Sequence, residues 1–261
     1  MFNDIVTKIV EFVYGNDMES QRFYIEKICN DVRKMNPDII YKAKGFYVPN
    51  QSYLINILGE DAFERDYGLY VNDDCIWQNK LVLPITNLIG NYVGFVGFDP
   101  FNYLASHEGK EIGQYYSYSL KNVFNKSYYL YCLPTTYEQA INNGYLIITD
   151  GIFDTLSFAQ NNYLAAALLG STLSEQILAQ LRFIKKLIVA VDNDSAGSKL
   201  VDKLKIHHDN VFVLKQAQYK DADDILKSKY KKRYLQKLDV LIGQNSIKTL
   251  SLFDNDRIIK I

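Results

Sequence analysis

Thr149-Asp150-Gly151-Ile152-Phe153-Asp154 and Val191-Asp192-Asn193-Asp194-Ser195-Ala196-Gly197 are two acidic segments that set the architecture of this chain. A third follows, Lys220-Asp221-Ala222-Asp223-Asp224. Each comes just after an apolar run that reads as a buried strand: Tyr145 to Ile148, Leu187 to Val191, and Val211 to Leu214. Each is followed by a pattern that reads as a helix. In a parallel α/β sheet the residues just past the strands share one edge, and ligands bind there. Three acidic clusters brought to one edge repel each other unless cations lie between them. Divalent-metal and phosphate chemistry is therefore the first expectation.

The strands extend this reading outward. Tyr163 to Leu168 adds a fourth apolar run, and helical patterns cover Glu138 to Asn142, Ile152 to Gln160 and Ser195 to Ile206. Thr172-Leu173-Ser174-Glu175 has capping-box spacing and is read as opening a helix to Lys185. Continuous apolar strands with helices between them imply a parallel sheet covered on both faces. Upstream the period differs. Ile5, Ile9, Phe12 and Val13 make a helical stripe, Phe23, Ile25 and Ile28 a second one, and Pro37 is expected to end that helical region. Gln51 to Leu58 reads as a short helix stopping at Gly59. Lys80 to Ile85 and Tyr92 to Phe98 read as a β-hairpin around Asn87 to Asn91, with Gly94 and Gly97 marking a bulge or a close backbone approach. Residues 99–113 read as loop, and Tyr115 to Tyr131 as short strands. The expected divisions are a helical segment 1–75, an α+β subdomain 76–136, the parallel sheet domain 137–226 and a basic helical tail 227–261. The tail's Lys227, Lys229, Lys231, Lys232, Arg233 and Lys237 read first as a solvated helix face, with contact to DNA as the alternative.

Bulk composition narrows the classes. At 261 residues the chain is long enough for one large domain or two small ones. Its hydrophobic content of 48% and charged content of 23% are those of a soluble globular protein. With a formal net charge of -1, nucleic-acid binding would need a local basic patch. Cys29, Cys75 and Cys132 are widely spaced and form no C-x-x-C pair, so neither a zinc site nor a disulfide framework is expected. Charged residues Asp4, Lys8 and Glu11 break any signal-peptide core, and no apolar run reaches membrane-spanning length. A cytoplasmic protein is expected.

Blander roles exist for every acidic residue. Asp194 can be a helix N-cap, Asp223 or Asp224 another, and Asp150 and Asp154 helix-start charges. Their conjunction is harder to dismiss, because a carboxylate ending a buried strand, as Asp192 does, is costly without a partner. Other aspartate motifs fit poorly. An EF-hand loop from Asp192 would meet Ala196 and Lys203 where ligands are required. No P-loop is present.

The series Asp150-Gly151-x-x-Asp154, Asp192-x-Asp194-x-Ala-Gly197 and Asp221-x-Asp223 resembles the Toprim domain of DnaG-type bacterial and phage primases, topoisomerases and certain nucleases. Leu83-Pro84-Ile85, Gly90, Val93 to Gly97, Tyr115-Tyr116-x-x-Ser119, Phe124-x-Lys126-Ser127, Leu130-Tyr131 and Leu169-Gly170-Ser171 are similar to the primase branch in order and spacing. The resemblance covers residues 78–226 and extends to Lys44-Gly45. It departs in places. Asp150 stands where the family has Glu, Ala222 where Pro is common, and Phe98 where a basic residue usually follows the strand. The zinc ribbon and helicase-docking domain of full-length members are not recognised, as in a minimal core of phage or mobile-element origin.

The resemblance implies a mainly parallel Toprim-type α/β sheet flanked by helices, preceded by a smaller α+β subdomain. It implies primer RNA synthesis from ribonucleoside triphosphates on single-stranded DNA, with a separate helicase or other replisome protein as partner. Asp192, Asp194 and Asp221 are the implied ligands of Mg²⁺ or Mn²⁺, with Asp223 next and Asp150 direct or through water, while Asp154 orients the site. Lys44, Lys80 and Lys126 match or approximate basic positions facing template and nucleotide. Tyr115, Tyr116 and Tyr118 are candidates for base stacking. A Toprim nuclease and a catalytically silent DNA- or replisome-binding core are the alternatives.

Overall fold

The computed structural model of the chain describes residues 2–60, 70–71, 74–107, 115–117, 125–169, 173–192, 194–216, 219 and 221–243. Two units are distinguished by their internal contacts, Met1–Pro134 and Thr135–Ile261. Among the described residues no helix is long and apolar enough to cross a membrane.

In the first unit, α1 (Phe2–Asn16) and α2 (Met18–Lys27) are followed by a π-helical turn, Ile28–Arg33. Then come α3 (Pro37–Lys42), β1 (Phe46–Val48), α4 (Gln51–Leu58), β2 (Tyr70–Val71) and β3 (Asp74–Cys75). The hairpin strands β4 (Lys80–Thr86) and β5 (Tyr92–Phe98), helix α5 (Pro100–His107), β6 (Tyr115–Ser117), a 3-10 turn (Lys126–Tyr128) and β7 (Leu130–Tyr131) complete it. An antiparallel sheet runs in the order β1-β4-β5-β6. Ile5, Val6, Ile9, Val10 and Val13 of α1 are buried, as their helical spacing requires. Phe95 meets Phe46 and Trp77 edge-on at 5.8 and 5.7 Å, and each such pair adds roughly 0.5–1.5 kcal/mol beyond burial. Gly97 is the close approach its position foretold. A Cβ there would lie 2.9 Å from the Trp77 ring.

Several expectations are corrected here. Pro37 begins a helix instead of ending one. It occupies the first turn of α3, where its missing N–H costs nothing, and Asn36 caps the helix by accepting the Asp38 N–H at 3.0 Å. Part of the expected loop 99–113 is helix α5, started by Asp99, whose carboxylate accepts the Phe101 and Asn102 N–H groups at 3.0 and 2.9 Å. The proposed division at 75/76 is crossed by the sheet, because β1 pairs with β4. Residues 108–114 and 118–124 lie outside the described residues.

The second unit alternates as its apolar runs require. Its elements are α6 (Thr136–Asn143), β8 (Leu146–Thr149), α7 (Ile152–Ala159), β9 (Ala165–Leu168), α8 (Glu175–Leu181) and β10 (Leu187–Val189). They continue with α9 (Ser195–His207), β11 (Val211–Val213), α10 (Ala222–Lys227) and α11 (Lys231–Gly243). Four strands of this unit lie in the order β11-β10-β8-β9, and every neighbouring pair is parallel. Ile147, Ile188 and Phe212 of the strands pack into one core with Phe158, Ile225, Tyr234, Leu238 and Leu241 of the helices. Helix α8 starts later than its capping-box spacing implied. Ser174 is the N-cap, accepting the Ile177 N–H at 3.3 Å, and Thr172 lies outside the described residues.

Candidate active site

The strand order fixes where the site lies. From β8 the chain moves to β9 on one side, then returns past β8 to β10 and β11 on the other. The direction of winding therefore reverses between β8 and β10, and such a reversal opens a crevice at the carboxyl ends of the strands. Asp150 follows β8 and Asp192 follows β10. The Asp192 backbone N–H donates to the Asp150 carboxylate at 3.1 Å, so the two acidic loops meet in that crevice.

Two further carboxylates reach the edge as helix caps. Asp194 accepts the Gly197 N–H at 2.7 Å at the start of α9. Asp221 accepts the Asp224 N–H at 2.8 Å at the start of α10. The cap expected at Asp223 or Asp224 is thus made by Asp221. Each cap uses one carboxylate oxygen, and the second can serve a ligand. Gly197 is required by the same geometry. A Cβ there would lie 2.2 Å from the Asp192 carbonyl oxygen, so only glycine lets α9 begin this close to the strand end.

Asp154 and Asp223 form the inner layer. Both are buried, at 6% and 3% exposure. Asp154 accepts the Asp223 N–H at 2.7 Å, tying α7 to α10. The Asp223 carboxylate accepts the Ser157 hydroxyl on one oxygen and pairs with the Lys227 ammonium at 2.5 Å on the other. Both of its oxygens are therefore committed to protein donors. The structure places Asp223 behind the acidic edge, where it organises α10.

Burial first, and then neighbouring charge, raise the pKa of two of these carboxylates, Asp150 and Asp154. Asp150 is raised above the usual carboxylate value chiefly by loss of hydration, with Asp221 and Asp194 adding like charge and the Asp192 N–H opposing. Asp154 is raised well above it by burial first, then by Asp221, with the Asp223 N–H opposing and Asp150 and Asp223 adding like charge. The sign for stability follows. A carboxyl whose folded pKa is raised holds its proton longer in the folded state, so its ionisation weakens the fold as pH rises above about 4, the unfolded value. Asp154→Asn keeps an acceptor for the Asp223 N–H and removes the charge. Without metal, its thermal midpoint should exceed that of the wild type at pH 7, and the gap should close as pH falls toward about 4. A gap that does not change with pH, or has the opposite sign at pH 7, would show that the Asp154 charge is compensated.

The basic candidates belong to the first unit and have separate surroundings. Lys80 is buried, 3.4 Å from the Asp99 carboxylate, and donates to the Gln78 carbonyl at 3.2 Å. Lys44 lies over the Tyr14 ring at 4.3 Å. Lys126 is exposed on the 3-10 turn that Asn125 caps. Phe98 is fully buried, with the Arg33 guanidinium 5.5 Å from its ring. A basic side chain at that position would have to be accommodated inside this packing. Of Tyr115 and Tyr116 only the backbone of β6 is described, and Tyr118 lies outside the described residues.

The donor set is all carboxylate oxygen, which suits a hard divalent cation such as Mg²⁺ or Mn²⁺. Among the described residues no group of three or more His, Cys, Asp or Glu side chains is already arranged to hold a metal ion. The second oxygens of Asp194 and Asp221 are the ones a cation would draw inward. Ser157 was missed by sequence reasoning, and Lys227, read as part of a solvated basic tail, is paired with Asp223 instead. Spacing of four residues between Asp223 and Lys227 on a helix was the available signal for that pair.

Residues 147–226 match a family described as Toprim-like. The chain is 28% identical over 194 residues to the DNA primase of Thermotoga maritima, covering 69% of this chain and 33% of that protein. It is 28% identical over 235 residues to the DNA primase of Mycoplasma genitalium, covering 85% of this chain and 35% of the relative. The chain thus spans about a third of the length of these curated relatives. Among solved structures it is similar to the zinc-binding and RNA polymerase domains of the Aquifex aeolicus primase, with a TM-score of 0.71, 22% identity, and coverage of 93% of this chain and 60% of that one. It is also similar to the E. coli primase catalytic core, with a TM-score of 0.68, 18% identity, and coverage of 90% and 80% respectively. A DnaG primase catalytic domain bound to single-stranded DNA matches with a TM-score of 0.64, 18% identity, and coverage of 84% and 70% respectively.

Proposed function

We propose that this chain, a Toprim-domain protein of the DnaG primase type, joins ribonucleoside triphosphates into short RNA primers on a single-stranded DNA template. The observation that carries the reading is the convergence of Asp150, Asp192, Asp194 and Asp221 on one sheet edge at the point where the winding reverses. These four residues would hold Mg²⁺ or Mn²⁺. The bound cation would lower the pKa of the attacking 3′-hydroxyl and neutralise charge on the departing pyrophosphate. The chain's own contribution is positional. The Asp192 N–H fixes the Asp150 carboxylate, and Gly197 lets Asp194 cap α9 close to it. Asp154 and Asp223 hold the start of α10, and so Asp221, in place. Lys126 and Lys44 are the candidate contacts to template or nucleotide in the first unit. The Lys80–Asp99 pair supports the second strand of that sheet instead. Nucleotide pools and template place this work in the cytoplasm, with a replicative helicase or other replisome protein supplying the strand.

The test is incubation with single-stranded DNA, Mg²⁺ or Mn²⁺ and labelled ribonucleotides. New short RNA is the expected product. Shortened DNA in its place would mean a nuclease, and a mobility shift alone would mean a binding core without catalysis. Asp150→Asn should lose far more synthesis than Asp150→Glu, because a carboxylate is needed where the family carries the longer acid. Full activity of Asp150→Asn would reduce that residue to a helix-start charge.

A further inference from the structure

The stretch Lys229-Tyr230-Lys231-Lys232-Arg233 is exposed throughout and leads into the first turn of α11. That turn contains no acidic residue. A helix begins with the positive end of its dipole, so cations gathered there work against helix stability. Among the described residues none of Lys231, Lys232 and Arg233 has a carboxylate at ion-pair distance. Arg233 also adds like charge at Lys237, one turn further on, whose pKa is lowered by burial first and then by Arg233. A whole-chain charge of -1 means that this density is not a general property of the surface. Folding gives no reason for the cluster, whereas a polyanion does.

The helix that carries it is firmly held. Tyr234, Leu238 and Leu241 are buried, and the Lys186 ammonium donates to the Leu241 and Ile242 carbonyls at 2.8 and 2.6 Å, closing the far end. Its near end adjoins the acidic site within the same unit. Tyr234, the residue after Arg233, stacks on Phe158 of α7, the helix that carries Asp154, with ring centroids 6.2 Å apart. Tyr230 stands among the cations with its ring 40% exposed, edge-on to Tyr219 at 6.2 Å and beneath the Lys229 ammonium at 5.3 Å. An exposed aromatic ring interleaved with free cations is the pattern that binds a single strand, by phosphate contacts along the backbone and stacking on a base.

We propose that Lys229, Tyr230, Lys231, Lys232 and Arg233 form a track for single-stranded nucleic acid beside the acidic edge of the second unit. Lys229 and the cations of the first turn of α11 contact backbone phosphates, and Tyr230 stacks on a base. The track deepens the primase reading, since it would hold a strand next to the proposed metal ligands, but it is measured apart from synthesis. Affinity for a fluorescent oligothymidylate is read by anisotropy on the full chain without nucleotide or metal, from low to moderate salt. The triple variant Lys231→Ala, Lys232→Ala, Arg233→Ala should bind about tenfold or more weakly at low salt. Its log–log salt slope should flatten by about 2, or roughly 0.7 for each phosphate no longer neutralised. The charge-keeping triple Lys231→Arg, Lys232→Arg, Arg233→Lys should retain the slope. Tyr230→Leu should weaken binding roughly five- to hundredfold with the slope unchanged. Circular dichroism establishes that each variant is folded. Wild-type affinity and slope in the alanine triple overturn the track, as does a wild-type chain that binds no oligothymidylate. A Tyr230→Leu variant with wild-type affinity removes the stacking contact and leaves the phosphate track. If binding depends on these residues but the chain makes no RNA, the primase reading fails and the track stands. If the chain makes RNA and binding ignores these residues, the reverse holds.

Discussion

Asp192→Asn and Asp194→Asn should each lower primer synthesis about a thousandfold, a loss of about 4 kcal/mol of transition-state stabilisation. Phosphoryl chemistry needs a cation fixed where negative charge develops between nucleophile and leaving group, and a cation held by fewer carboxylates is bound more weakly and placed less firmly. The substitution isolates charge from structure unusually well at position 194. Asn caps a helix about as well as Asp, so its side chain can still accept the Gly197 N–H that Asp194 now accepts at 2.7 Å. At position 192 the backbone N–H that holds Asp150 is untouched by the change. Both variants should therefore melt near the wild-type temperature while losing activity. Asp194→Ala is the contrast, losing the charge and about 1 kcal/mol of capping as well. Initial rates of ribonucleotide incorporation at saturating metal decide the matter. Rates within a few-fold of wild type for both Asn variants would return these residues to capping and packing roles.

Much of this site was legible because two rules act locally. Strands covered on both faces must be continuously apolar, so Leu146–Thr149, Leu187–Val189 and Val211–Val213 announced themselves and brought the acidic residues to their ends. What could not be read was which carboxylate does what. Asp221, Asp223 and Asp224 are near neighbours in sequence, yet Asp221 caps α10, Asp223 is buried against α7, and only the register of that helix decides it. The ion pair of Lys80 with Asp99 was hidden for a similar reason. A lysine starting a strand looks solvated until the sheet and the loop after β5 close over it. Pro37 misled because proline ends one helix and starts another by the same missing donor. The Asn36 before it was the discriminating signal. Phe98 stands where the resemblance leads one to expect a basic residue, and the guanidinium 5.5 Å from its ring belongs to Arg33, far away in the chain.

Lys227→Ala should destabilise the second unit by about 3 kcal/mol, the lower part of the range for breaking a buried ion pair. The lower part applies because the Lys227 side chain is 22% exposed, whereas that of Asp223 is only 5% exposed. Removing the ammonium takes the Lys227 cation away from a carboxylate that accepts the Ser157 hydroxyl and faces the charge of Asp154, whose own carboxyl accepts the Asp223 N–H. With Asp221 adding like charge at Asp154, the acidic groups around α7 and α10 would then repel one another more strongly. The response to the second substitution separates this account from simple loss of side-chain packing. Asp223→Asn in the Lys227→Ala background removes the stranded charge and should recover most of the stability, since the amide still accepts from Ser157. The four proteins of this cycle, compared by urea unfolding at neutral pH, should give strongly non-additive costs. Additive costs would mean that Lys227 contributes through its aliphatic stem. Activity gives a second reading of the same ion pair. Asp221 caps the helix that this pair secures, so the double variant should be stable yet slower, and saturating Mg²⁺ should narrow its deficit by drawing Asp221 back to the acidic edge.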